Sequence, residues 1–161
     1  GAKVIAAAST DQKLSICEKH GADELINYTE SDLRKRVKDI TGGRGVDVVY
    51  DPVGGKFSEL AVRDMAWKGR YLVIGFAVGE IPKIPLNLVL LKGCSIVGVF
   101  WGAFTKRENQ LNRENNEELM EMYLAGKAVP HIHATYRLED AAKALNDLLA
   151  KKVSGKAVLT I

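Results

Sequence analysis

Residues 46–55 read Val-Asp-Val-Val-Tyr-Asp-Pro-Val-Gly-Gly, an apolar run that ends in a turn of Asp, Pro and Gly. A run with so little polar alternation is typical of a strand that is covered on both faces of a sheet. Working outward, further short apolar runs lie at 4–8 and 25–26 before it, and at 69–76 and 95–100 after it. We therefore predict five strands in the first hundred residues.

The segments between these runs have helical spacing. Leu33, Val37 and Ile40 stand at i, i+4 and i+7 and precede a Gly-Gly stop, and Thr29 with Asp32 three residues later resembles a capping pair. A further apolar stripe predicts a helix over 57–65. Strands that alternate with helices require parallel pairing with helices as crossovers. The predicted fold class is thus α/β, a doubly wound parallel sheet of the Rossmann type.

This alternation ends near residue 102, where we place a domain boundary. Residues 105–118 are rich in Asn, Arg and Glu, and a helix then leads to Gly126. A strand at 131–136, a helix at 138–149 and a strand at 157–161 complete the chain. We accordingly divide it into residues 1–102 and residues 103–161.

The composition indicates an ordinary globular protein. Hydrophobic residues make up 47% and charged residues 27% of the 161, and the net charge is only +3. Neither a nucleic-acid-binding nor a membrane-binding surface is predicted from so small an excess of cations. Cys17 and Cys94 form no metal-binding pair, and they indicate a reducing, intracellular location, cytoplasmic or mitochondrial.

Ligands of open parallel sheets bind beyond the carboxyl ends of the strands. Four segments lie at such ends, at 8–10, 51–55, 75–77 and 100–102, and three of them contain glycine. Taken one segment at a time, the glycines are better explained by turns. Four segments in register with four strands favour a binding site.

The first of these segments carries the most specific indication of a ligand. In NAD-binding sheets an acid at the end of the second strand binds the ribose 2′-hydroxyl, whereas a 2′-phosphate requires cations there. Here the strand ends in Ser9 and Thr10, with Lys13 one helical turn later. Asp11 is explained as a first-turn residue that complements the helix dipole. The pattern suits NADP better than NAD, unless Lys13 is merely a surface residue.

Several other residues are interpreted as structural. His131 and His133 would share one face of a strand, but no third ligand accompanies them for a metal site. Cys17 lies on an apolar stripe, and Cys94 has no nearby histidine that would make it a nucleophile. Asp51 is assigned to a turn because Asp-Pro commonly starts one.

Taken in order, these motifs resemble the quinone oxidoreductase branch of the medium-chain dehydrogenase/reductase family. The resemblance rests on the start of the chain through Lys13, on 21–28, on 45–55, on 68–76, and on Leu-Glu-Asp-Ala-Ala at 138–142 with Ser-Gly-Lys-Ala at 154–157. It runs over nearly the whole chain, which no single motif does.

The resemblance implies an NADPH-dependent reductase that transfers hydride to a quinone or an α,β-unsaturated carbonyl, with no zinc and no catalytic side chain among these residues. It implies a 2′-phosphate loop, a ribose neighbour, a loop beside the cofactor, two nicotinamide-contacting segments and one further basic residue. By position, the 2′-phosphate loop is Ser9, Thr10 and Lys13, the ribose neighbour is Tyr28, and the loop beside the cofactor is Val53 and Gly54. The nicotinamide-contacting segments are Gly75, Phe76 and Ala77, and Phe100, Trp101 and Gly102, and the further basic residue is Lys156.

The chain also departs from the family pattern. It opens directly in a strand, without Met and without the GxGxxG turn that gives backbone amides to the pyrophosphate. In the strand order 3-2-1-4-5-6, the strand before that turn lies between the strands at 4–8 and 46–50. We therefore expect a C-terminal portion of a reductase with two unpaired strand edges, in which 103–161 completes the catalytic domain. Such a piece should not bind NADPH tightly by itself.

Other classes of function stay open at this point. A homodimer is expected through the 95–100 strand, which commonly pairs with its twin in this family, and a non-catalytic nucleotide-binding or dimerisation module would keep that contact. A methyltransferase that uses S-adenosylmethionine also has a parallel sheet, but it would want an acid where Ser9 and Thr10 stand.

Overall fold

The computed structural model describes all residues from 1 to 161. Its backbone divides into two compact units, Gly1–Ala103 and Phe104–Ile161. None of the helices combines the length and the apolar character that crossing a bilayer would take.

The first unit alternates strands and helices along its length. In chain order the elements are β1 Ile5–Ala8, α1 Asp11–Lys19, β2 Glu24–Asn27, α2 Leu33–Thr41, β3 Val46–Asp51, α3 Lys56–Arg63, β4 Met65–Val73, α4 Leu86–Lys92 and β5 Ser95–Gly98. The helix α5, Trp101–Arg107, contains the division between the units.

These strands form two separate parallel sheets. β1 pairs with β2, and β4 pairs with β3 on one side and β5 on the other. The mixed α/β class with parallel pairing is therefore confirmed. β1 and β3 pair with no strand on their other edges, so the parallel arrangement is interrupted between them.

Local sequence explains where the first two helices begin and end. The Thr10 side chain caps α1 by accepting a hydrogen bond from the Lys13 amide, and Asp32 caps α2 in the same way through the Lys35 amide. Gly42 ends α2 in the left-handed conformation, which costs glycine nothing. Of the predicted capping pair, Asp32 is therefore the N-cap of α2 and Thr29 is not.

The core of this unit lies between β4 and the helices α3 and α4. Its buried cluster contains Val62, Met65, Tyr71, Leu88 and Cys94. Fully burying a side chain of this size contributes about 1.5–3 kcal/mol. In the smaller sheet, β1–β2, only Ile26 is buried, and Leu14 is the buried residue of the adjoining helix α1.

Two parts of the sequence interpretation of this region need correction. Met65 begins β4 instead of ending the preceding helix, because its side chain packs in the core from a strand. The helix α4 was not predicted, since its five Leu and Val residues in seven show no polar face. Burial of Leu88 and exposure of Leu90 and Leu91 show that it is nevertheless covered on one side only.

The second unit has two helices and a small parallel sheet. After α5 come α6 Asn109–Leu124, β6 Ile132–Arg137, a short 3-10 turn at Leu138–Asp140, α7 Ala141–Leu149 and β7 Lys156–Thr160. β6 and β7 pair in parallel. Ala144 and Ser154 are its buried residues, and its assignment to a catalytic domain stays a prediction.

Candidate functional site

The loop after β1 carries the first group of predicted site residues. Ser9 and Thr10 lead into α1, and the Thr10 hydroxyl accepts a hydrogen bond from the Lys13 amide at 3.3 Å. This bond fixes the first turn of the helix, so that the Lys13 side chain starts from the same turn as the two hydroxyls. Two hydroxyls and one ammonium group are a donor set that suits a phosphate.

The neighbouring carboxylate of Asp11 is engaged within the protein. Its Oδ1 accepts a hydrogen bond from Asn27 Nδ2 at 2.8 Å, and Thr29 Oγ1 donates to the Ser9 carbonyl oxygen at 3.1 Å. Thr29 also donates to Asn27 Oδ1 at 2.7 Å. These bonds tie the loop after β1 to the loop after β2, and they were not foreseen from the sequence.

Tyr28 follows Asn27, next to the hydrogen bonds that join these two loops, and it faces the start of α3. Its ring lies 4.6 Å from the ring of Phe57, centroid to centroid, at an angle of 47°. The ammonium group of Lys56 lies 5.3 Å from the centroid of the Phe57 ring, within the range of a cation–π contact. The structure thus adds Lys56 and Phe57 to the surroundings of Tyr28, although helical spacing had suggested only a packing role for Phe57.

The turn after β3 is organised by the Asp51 carboxylate. Its Oδ1 accepts hydrogen bonds from the amides of Val53 at 2.8 Å and Gly54 at 3.0 Å. Its Oδ2 accepts from the Ser58 hydroxyl at 2.8 Å and also from the phenol of Tyr71. The predicted turn is present, but Asp51 also anchors it to α3 and β4.

All three side chains of this network are buried. Burial alone would raise the pKa of Asp51, yet the hydrogen bonds from Tyr71, Gly54, Ser58 and Val53 outweigh it and hold the pKa below its ordinary value. Burial and the adjacent carboxylate raise the pKa of Tyr71 well above its usual range. Asp51 is therefore ionised and Tyr71 protonated at neutral pH, which is the combination their hydrogen bond requires.

The turns after β3 and β4 are held directly against each other. The amide of Ala77 donates to the Pro52 carbonyl, and that of Val78 to the Val53 carbonyl, both at 3.0 Å. Gly54 has a φ of +77°, and a Cβ there would lie 2.9 Å from the Phe76 ring. Only glycine permits this approach, so the structure brings two of the predicted cofactor segments together.

The remaining predicted residues lie elsewhere. Phe100, Trp101 and Gly102 follow β5, and the side chains of Phe100 and Trp101 are exposed. Lys156 begins β7 in the second unit, where its amide donates to the His131 carbonyl at 2.9 Å. The role of every residue in this predicted set stays a prediction.

The chain has no group of side chains that could bind a metal ion. No three side chains of His, Cys, Asp or Glu stand close enough together to hold an ion. Cys94 is buried in the core beside Val62 and Leu88. The residues present therefore do not fit a zinc ion.

Comparison with known proteins places this geometry in a family. The family model described as zinc-binding dehydrogenase matches residues 1–121. A quinone oxidoreductase-like protein 2 homolog from Nematostella vectensis is 40% identical over 160 residues, which are 99% of this chain and 44% of the relative.

Two solved structures have a closely similar backbone fold. The quinone oxidoreductase of Pseudomonas syringae pv. Tomato DC3000 is 31% identical with a TM-score of 0.87, and the Escherichia coli quinone oxidoreductase complexed with NADPH is 30% identical with a TM-score of 0.87. Each comparison covers all of this chain and 50% of the other. The chain therefore spans about half the length of the proteins it matches.

Proposed function

Because this chain belongs to the medium-chain dehydrogenase/reductase family, in its quinone oxidoreductase-like branch, we propose that the full-length protein is an NADPH-dependent reductase. Its substrate class is a quinone or an α,β-unsaturated carbonyl compound. NADPH, when bound, supplies the hydride that such an electrophile accepts. The protein works without zinc in this proposal, and no side chain of the present chain acts as an acid, base or nucleophile.

The cofactor proposal rests on the side chains of the loop after β1 and on their hydrogen bonds. Ser9, Thr10 and Lys13 offer hydroxyls and a cation, while the one nearby acid, Asp11, accepts the amide hydrogen of Asn27 at 2.8 Å. One oxygen of this carboxylate is thus engaged within the protein, and the two hydroxyls and the ammonium group of the loop form a donor set that suits a phosphate. The loop therefore favours a 2′-phosphate over a 2′-hydroxyl.

The other residues of the candidate site bind and orient. The Asp51 network fixes the turn that contains Val53 and Gly54, and the backbone bonds of Ala77 and Val78 hold the next turn beside it. A cofactor seated along this edge would meet two turns whose backbone these bonds hold in place. That is the preorganisation that hydride transfer needs, since its rate depends on the position of the two reacting carbons.

The cofactor proposal is tested by Lys13→Glu in the full-length enzyme. We expect KM for NADPH to rise about tenfold or more and KM for NADH to change little, because only NADPH carries the 2′-phosphate. Lys19→Glu, in the last turn of the same helix, makes the same charge change as a matched control. Equal changes for the two cofactors would exclude Lys13 as a phosphate ligand.

A dimer is the second part of the proposal. The outer edge of β5 is unpaired, and all four residues of this strand are exposed, as are Val99 and Phe100 beyond it. Pairing of this edge with that of a second copy would extend the sheet and cover these side chains. Light scattering after size exclusion should give twice the chain mass, and a monomer at high concentration would contradict the dimer. A non-catalytic module would keep this dimer but show no reductase activity.

A further inference from the structure

A cavity of about 330 Å³ in the first unit lies at the opposite end of the strands from the candidate cofactor site. Gly45 and Asp64, which directly precede β3 and β4, are among the residues that line it. The predicted cofactor turns at 51–55 and 75–77 follow the carboxyl ends of the same two strands. β3 has six residues, so about 20 Å separate its two ends. The cavity is therefore distinct from the candidate cofactor site.

Cationic side chains dominate the lining of this cavity. Arg34, Lys38, Arg63 and Lys92 stand around it, and Asp64 is the one carboxylate among the lining residues. The whole chain of 161 residues has a net charge of only +3. An excess of cations as large as that of the entire chain is thus concentrated at one small cavity, where it should attract anions.

Helix dipoles explain only some of these cations. Lys38, Arg63 and Lys92 lie in the last turns of α2, α3 and α4, where a positive side chain interacts favourably with the negative end of the helix. Arg34 stands in the first turn of α2, at the positive end. It also precedes Lys38 by four residues on the same helix, a spacing at which like charges repel each other. The helices alone therefore do not account for a cavity lined by both residues.

The acids near the cavity are engaged by partners of their own. Asp64 accepts a hydrogen bond from Arg34 Nε at 3.0 Å, and Glu59 accepts bonds from Arg63 Nε at 3.0 Å and Nη2 at 2.6 Å. Each acid offsets the charge of one cation. Because Asp64 uses only Nε of Arg34, the two Nη groups of that guanidinium remain available as donors.

The two lysines also keep donors for a ligand. Lys38 takes part in none of the ion pairs of the chain. The Lys92 ammonium donates to the Met65 carbonyl at 3.2 Å, and its remaining hydrogens are free to bind elsewhere. Guanidinium and ammonium groups together are the donors that proteins use for phosphate oxygens.

An apolar surface accompanies these donors. Val37, Leu88 and Leu91 also line the cavity. Val37 and Leu88 are buried, whereas Leu91 is 71% exposed. A bare phosphate ion would leave this surface in contact with water, and the carbon skeleton of a phosphate ester would cover it. The volume is at the lower end of the range for small-molecule sites, about 300–1,000 Å³.

We propose that this cavity binds the phosphate group of a small phosphate ester. Lys38, Lys92 and the Nη groups of Arg34 hold the phosphate oxygens, which carry a charge of about −1.5 to −2 at pH 7, and the apolar residues contact the rest of the molecule. The site is separate from the loop that the proposed function assigns to the 2′-phosphate of NADPH. It therefore requires neither NADPH nor reductase activity.

The test is calorimetric titration of the full-length protein with phenyl phosphate at low ionic strength. We expect saturable binding with a Kd below about 1 mM. Lys38→Gln should raise this Kd about tenfold, because it removes a charged donor from the cavity. Lys35→Gln removes a cation from the same helix but not from the lining, so this matched control should change Kd by less than about twofold.

Two further ligands identify which part of the ester is bound. Inorganic phosphate supplies the anion alone, and phenol supplies the apolar part alone. We expect phosphate to bind more weakly than phenyl phosphate and phenol to give no saturable binding. Equal affinities for phosphate and phenyl phosphate would overturn the assignment of an ester in favour of free phosphate.

Lys13→Glu separates this site from the proposed cofactor loop, and phenyl phosphate should bind this variant as it binds the parent. Loss of binding in Lys13→Glu but not in Lys38→Gln would place the anion at the cofactor loop and overturn the proposal. Equal effects of Lys38→Gln and Lys35→Gln would also overturn it, as would the absence of saturable binding up to about 10 mM. A failure of NADPH to bind would bear on the proposed function alone.

Discussion

Helix α3 has a buried carboxylate near each end, and the pKa values of the two carboxylates are shifted in opposite directions. Asp51 lies before the amino end and accepts bonds from two amides, a serine and a tyrosine. Asp64 is the C-cap, and its side chain has one ion pair, with Arg34 Nε at 3.0 Å. The pKa of Asp51 is lowered, whereas burial raises the pKa of Asp64 despite Arg34 and the more distant Lys92 and Lys38.

The difference shows that formal charge pairing is the weaker way to keep a buried carboxylate ionised in this protein. Four fixed neutral donors compensate Asp51 for the loss of water, and they bring no mobile charge of their own. The guanidinium of Arg34 is 41% exposed, so water weakens its attraction for Asp64. The negative end of the helix adds a further unfavourable contribution there.

The largest expected effect comes from Asp51→Asn. An amide can accept at one oxygen only, and its NH2 group would face donors, so two or more of the four bonds are lost in a buried site. We expect the free energy of unfolding to fall by about 3 kcal/mol near neutral pH, measured by urea denaturation. The turn that contains Val53 and Gly54 should also become more open to amide exchange.

The difference in the free energy of unfolding between Asp51→Asn and the parent protein should depend on pH. A carboxyl whose pKa is lower in the folded state stabilises the protein above its unfolded pKa of about 3.9 and loses that contribution as pH falls through the folded pKa. The gap between Asp51→Asn and the parent should therefore shrink in acid. A gap that stays constant down to about pH 2 would show that folding does not lower the pKa of Asp51.

Asp64→Asn should have a much smaller effect, and its pH dependence should be opposite. A raised folded pKa means that the contribution is fully present below the unfolded pKa and is lost as pH rises through the folded value. The amide resembles the protonated acid. We expect the variant to stay within about 1 kcal/mol of the parent at neutral pH and to gain relative to it as pH rises from about 4 to 7. Destabilisation by several kcal/mol would mean that the Arg34 pair outweighs burial.

Much of the fold follows from local sequence. The runs at 4–8 and 46–50 predict strands because they are short and apolar, and the cap and glycine signals around α2 predict a helix. Met65 was misplaced because an apolar residue three to five positions after others fits a helix as well as a buried strand. The helix α4 was missed because it has no polar residue pattern, and only its packing against β4 reveals which side is covered.

The candidate site was predicted less completely. The carboxyl-end segments follow from the strand assignments alone, and the turn at Asp51 follows from Asp-Pro. Tyr71 and Ser58 could not be connected with Asp51 from the sequence, since 20 and seven residues separate them from it. Nor did the sequence indicate that Asn27 would engage Asp11, because side-chain bonds between neighbouring loops depend on the strand register.

The strand pairings also have a consequence for how the chain folds. Every pair in the three sheets joins strands that are consecutive along the chain, so each pairing requires the closure of only one helical connection. A pairing between strands that are neighbours along the chain closes a shorter loop than a pairing between distant strands would, and the entropy lost on closing that loop is correspondingly smaller.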